Sequence, residues 1–131
     1  MKREALKEKE RKIEKKIENF KDLDIWKLGM EIIVDVYNIT KAFPKDEVYG
    51  LAAQMRRAAV SIPSNIAEGF NRHHNKEYRQ FLYIALGSCG ELETQIEASL
   101  LLQYIDRTVR NEALEKIDHE SRMLRNLIKL L

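Results

Sequence analysis

Between residues 47 and 70 apolar side chains return every three or four positions, through Val48, Leu51, Ala52, Met55, Ala59, Ile62, Ile66 and Phe70. That period places them on one face of an α-helix. A second line, Gln54, Arg57, Ser61, Asn65 and Glu68, is polar at i, i+3, i+7, i+11 and i+14. A solvent-facing helix surface ordinarily carries long Lys and Glu side chains. This one carries short amides, a hydroxyl, a guanidinium and a carboxylate. Pro63 falls inside the pattern, where it removes the bond to the Ala59 carbonyl at a cost of roughly 3 kcal/mol. The Ser61 hydroxyl is a candidate cap for a restarted turn with Pro63 in its first positions, and Gly69 is a stop signal. The pattern predicts one long helix over 47–70, kinked or re-capped near Ser61.

Three further helices follow from the same periodicity. After Asp24, a good N-cap residue, one apolar line runs through Trp26, Met30, Ile33, Tyr37 and Thr40. A second runs through Ile25, Leu28, Ile32, Val36 and Ile39. Together they exceed the stripe needed to face one core, so the second line is assigned to an interface with a neighbouring subunit. Pro44 ends this helix. A helix from Asn75 carries Tyr78, Leu82, Ala85, Cys89, Leu92, Ile96 and Leu100 inward. Its middle holds Gly87 and Gly90, which together cost about 2 kcal/mol against Ala and are expected to let another helix approach closely. The last helix begins near Thr108 and buries Leu114, Ile117, Leu124, Ile128 and Leu131. Four helices with short connections describe an all-α, antiparallel up-down-up-down four-helix bundle. Residues 1–22 form an extra charged helical extension and residues 23–131 the bundle domain. The seam of that extension, Leu6, Ile13, Ile17 and Phe20, is thin. A solvated arm is the preferred reading, with a docking or coiled-coil arm as the alternative.

With 131 residues, 44% of them hydrophobic, the chain suits one domain with a single core. No apolar run approaches the length of a membrane span and the N-terminus has no hydrophobic signal core, so a cytoplasmic protein is expected. The net charge of +2 is unevenly placed. Residues 1–22 hold nine Lys or Arg against six Asp or Glu, and residues 54–80 hold five against two. Such basic zones permit a polyanionic partner without requiring one.

Catalytic patterns are missing. A di-iron bundle needs Glu-x-x-His pairs, yet Phe70, Asn71 and Lys116 stand three residues before the three histidines. A metal-independent helical ribonuclease would need an Arg among residues 66–69 or 112–114, and none is there. No phosphate loop, nucleophile elbow or Cys-x-x-Cys occurs, and Cys89 reads as a packed, reduced thiol. No enzyme, no metal, no cofactor and no small-molecule substrate are expected. The polar line, extended by Ser88 and Glu91 on the next helix, is read as a structural network that fixes helix register, with a ligand-binding surface as the alternative.

The run QMRRAAVSIPSNIAEGF, with FP before it and KEYRQFL and ALGSCGELETQ after it, resembles the four-helix-bundle family encoded in intervening sequences of bacterial 23S ribosomal RNA. That family also includes the accessory variability proteins of diversity-generating retroelements. The resemblance spans residues 20–131. It implies an antiparallel bundle assembled as a homopentamer with a basic surface, a nucleic-acid-binding role and, in the retroelement branch, association with a reverse transcriptase and its RNA. Arg56, Arg72, Lys76 and Arg79 are the candidate phosphate contacts, with the basic arm as auxiliary. The competing expectation is a protein-interaction scaffold.

Overall fold

The computed structural model describes residues 17–131. Four helices make up the bundle: α1 Asp24–Lys41, α2 Leu51–Phe70, α3 Asn75–Leu101 and α4 Arg107–Leu130. Each packs on its sequence neighbour, and α1 also packs on α4, closing the ring. This is the all-α, up-down-up-down arrangement that the periodicity predicts. Leu6 and Ile13 of the N-terminal extension lie outside the described residues. A 3-10 turn, Phe20–Asp22, rests against α1 and α2, and the Phe20 and Trp26 rings meet edge-on at 5.6 Å.

Local chemistry explains the helix ends. Asp24 lies in the first turn of α1, where its charge meets the positive end of the helix dipole, but Leu23 holds the cap position. The Asp106 carboxylate caps α4 by accepting from the Val109 amide at 2.8 Å. The start of α2 departs from expectation. Lys45–Glu47 forms a separate 3-10 turn and the helix begins after Gly50, leaving Val48 more than half exposed. From there α2 runs unbroken through Pro63. Ser61 caps nothing: its hydroxyl is engaged by Ser88 and Asn65 instead. No re-capping is needed, because a buried helix held on both sides by α1 and α3 tolerates one missing amide.

The core is built from Ile32 and Val36 of α1, Met55, Ile62 and Ile66 of α2, Leu82, Leu92 and Ile96 of α3, and Ile117 and Leu124 of α4. Each such side chain stabilises the fold by about 1.5–3 kcal/mol through removal from water. The subunit-interface assignment for α1 is thereby corrected. Ile25, Ile32 and Val36 are buried within the protomer, and Leu28 and Ile39 are half-buried against the same core. Helices α2 and α4 grip α1 from two sides, so a wide apolar arc is satisfied without a second subunit. What remains outside on α1 is a narrower strip of Met30, Val34 and Tyr37.

The glycines are also redistributed. A Cβ at Gly69 would stand 2.7 Å from the Phe81 Cβ, so this residue sets the closeness of α2 and α3. Among the described residues Gly87 and Gly90 have no neighbour within 4 Å of the corresponding point, contrary to the close approach expected there. They lie on the outward face of α3 beside exposed Tyr83 and Ile84. No described helix is long and apolar enough to cross a membrane.

A candidate nucleic-acid interface

Arg56 is half-buried on the second turn of α2 and is held by two residues of α1. Its Nε donates to the Thr40 hydroxyl at 2.9 Å, and its guanidinium carbon stands 4.5 Å from the centre of the Tyr37 ring. Thr40 is itself fixed, donating to the Val36 carbonyl at 2.7 Å. Such anchoring removes much of the rotamer entropy that a free Arg would lose on binding. Both anchors are neutral. By contrast, Arg72, Arg110, Lys116 and Arg122 are paired with Glu68, Glu97, Asp35 and Asp118 at 2.7–3.1 Å. The positive charge of Arg56 is therefore oriented but not cancelled, and its terminal amino groups have no partner among the described residues. Arg56, Tyr37, exposed Arg57, Val60 and Ser61 line a shallow groove of about 420 Å³ with no carboxylate in its wall.

The other predicted contacts belong elsewhere. Arg72 follows α2 in the turn to α3, sixteen residues beyond Arg56 and thus roughly 24 Å further along at 1.5 Å per residue. It binds Glu68 at 2.8 Å and lies over the Phe81 ring at 5.3 Å. Lys76, exposed, and Arg79, half-buried, stand one turn apart at the start of α3. The four predicted residues thus fall in two zones: Arg56, beside Arg57, on the α1–α2 face, and Arg72, Lys76 and Arg79 at the α2–α3 end.

The polar line separates in the same way. Ser61, Asn65 and Ser88 join α2 to α3: the two hydroxyls are 2.8 Å apart, and the Asn65 amide donates to the Ser61 carbonyl and hydroxyl at 2.8 and 2.9 Å. Gln54, Arg57 and Glu91 are exposed with no such bond, and Glu68 turns to Arg72. The network reading is corrected for these four: Gln54, Arg57 and Glu91 are exposed, where water satisfies them at little cost, and Glu68 pairs with Arg72 at the helix end instead.

His73 and His74 are exposed, and His73 occupies the left-handed region at φ 60° in the α2–α3 turn. No group of three His, Cys, Asp or Glu residues is placed to hold a metal ion among the described residues. Burial pushes the Cys89 thiol up to about 12, which leaves it a poor nucleophile at neutral pH.

Sequence reasoning missed two features. The anchoring of Arg56 by Thr40 and Tyr37 depends on how α1 and α2 are rotated, which periodicity does not specify. Glu120, fully buried, did leave a signal: the spacing Ile117, Glu120, Leu124 puts a carboxylate on the core line of α4.

Among curated proteins, none matches this chain. A solved structure of a protein of unknown function from the S23 ribosomal protein family of Bacteroides thetaiotaomicron VPI-5482 superposes with a TM-score of 0.74. It is 22% identical, and the match covers 80% of this chain and 95% of that one, a likeness of fold. The family model for the 23S rRNA-intervening sequence protein matches residues 21–126, an interval that holds all of α1, α2 and α3 and most of α4. This chain belongs to the 23S rRNA-intervening sequence protein family.

Proposed function

We propose that this protein is a non-enzymatic, oligomeric bundle that binds structured RNA or a ribonucleoprotein through phosphate contacts. The observation that carries this reading is Arg56, a guanidinium fixed by a hydroxyl and an aromatic ring with its charge left uncompensated. Phosphate oxygens suit two free amino groups in a planar fork. Arg57 adds charge in the same groove, and Lys76 and Arg79 form a second contact zone. Binding of this kind positions the protein without reading base identity and weakens steeply with salt. A filter-binding titration of the full chain against a ribosomal RNA hairpin, between about 50 and 200 mM salt, tests it. Affinity should fall across the series, and Arg56→Ala should bind several-fold more weakly with a shallower salt slope. No binding, or binding indifferent to salt, removes the proposal.

Exposed Met30, Val34 and Tyr37 on α1 and Tyr83 and Ile84 on α3 favour a second reading, a scaffold that docks another protein such as a reverse transcriptase. Homopentameric assembly, which the family likeness implies, would occupy part of the same surface. Substitutions at Tyr83 and Ile84 that abolish partner capture while sparing RNA affinity would favour the scaffold.

A further inference from the structure

The side chain of Glu120 lies where α1, α2 and α4 meet, and it is completely removed from solvent. Neither carboxyl oxygen has a hydrogen-bond partner among the described residues. The fit is tight: a Cβ at Gly29 of α1 would stand 3.0 Å from its Oε2 and 3.2 and 3.3 Å from Cβ and Cδ of Pro63 on α2. At this point of contact α1 presents Gly29 and α2 presents Pro63, neither of them titratable. From α3 comes the Cys89 thiol, which bonds the Ser121 hydroxyl and stays neutral. The charged groups acting on that side are exposed Arg125 and Glu93, opposite in sign. Among the described residues no Lys or Arg is buried to hold a carboxylate.

An ionised carboxylate without a counter-charge or a donor is among the most expensive groups to bury, and the usual resolution is to keep its proton. We infer that Glu120 is a proton-operated lock of the bundle: protonated, it closes the α1–α2–α4 junction, and its ionisation in mildly alkaline solution drives α4 away from α1 and α2. Burial pushes this carboxyl up to about 8, which places the transition within reach of ordinary conditions. The inference is independent of RNA binding, since it concerns only the closure of the core.

The test is denaturant unfolding of the full chain and of Glu120→Gln at half-unit steps from pH 5.5 to 9. Relative to the variant, the unfolding constant of the native protein should rise about tenfold per pH unit up to pH 8 and then level off. Parallel pH profiles overturn the proposal. A direct readout that does not depend on the variant folding is the carbon-13 titration of the Glu120 carboxyl in the native chain. A midpoint near 8 supports the lock, and one near the ordinary carboxylate value of 4.5 overturns it.

Discussion

Gly29 and Glu120 form a pair whose members constrain each other. A methyl at Gly29 would meet the flexible end of Glu120 at 3.0 Å but also the rigid ring of Pro63 at 3.2 Å, and only the first can move aside. Alanine gains about 1 kcal/mol of helix propensity over glycine, and overpacking a core costs about 1–3 kcal/mol. We expect Gly29→Ala to destabilise the bundle by about 1 kcal/mol net, read as a lower urea midpoint at unchanged m-value. The pH response of Glu120 has a definite sign. Its proton is held more tightly folded than unfolded, so its contribution is fully present below 4.5 and is lost as pH rises towards 8. At about 1.4 kcal/mol per pH unit, moving from pH 5.5 to 7.5 removes roughly 3 kcal/mol, enough to outweigh most single surface contacts. Glu120→Gln should abolish that slope.

At the scale of the helices, α2 and α3 resolve their local defects differently. Helix α2 contains a proline and a glycine, and tertiary packing uses both: Pro63 is buried at the junction with α1 and α4, and Gly69 admits Phe81. Helix α3 contains two glycines that no described residue packs against. In the dissociated protomer, Gly87→Ala and Gly90→Ala should each raise stability by about 0.5–1 kcal/mol, visible as a higher melting temperature. If a partner packs on this outward face, the same substitutions weaken that association. Either variant melting below the native chain, with both measured as single protomers, would contradict the open face. The Ser61–Asn65–Ser88 contact fixes the register of α2 on α3, a role periodicity suggested but assigned to more residues than the packing employs.

At the scale of the whole molecule, the unresolved economy is the apolar surface left outside. Tyr83 and Ile84 are 56% and 51% exposed beside the two open glycines, a combination that favours burial by another chain. The double variant Tyr83→Asp, Ile84→Asp should retain its helical circular dichroism while native mass falls to that of one 15.4 kDa protomer. A native chain already at that mass in concentrated solution would contradict assembly through this face. Much of the fold was legible without coordinates. Four helices, their order and antiparallel sense, and most of the buried aliphatic positions follow from periods of three and four, because a helix advertises its inward face locally. The candidate site was legible only as residue types. Arg56 was identifiable as a basic residue on α2, whereas its anchors, its separation from Arg72 and the closure of α1 by α2 and α4 arise from rotation of one helix against another. Sequence alone thus determined which segments are helical and, for α2, α3 and α4, which face each hides. Tertiary structure alone decided which helix fills that face, which arginine keeps its charge and which glutamate loses its water, since those outcomes depend on contacts between residues far apart in the chain.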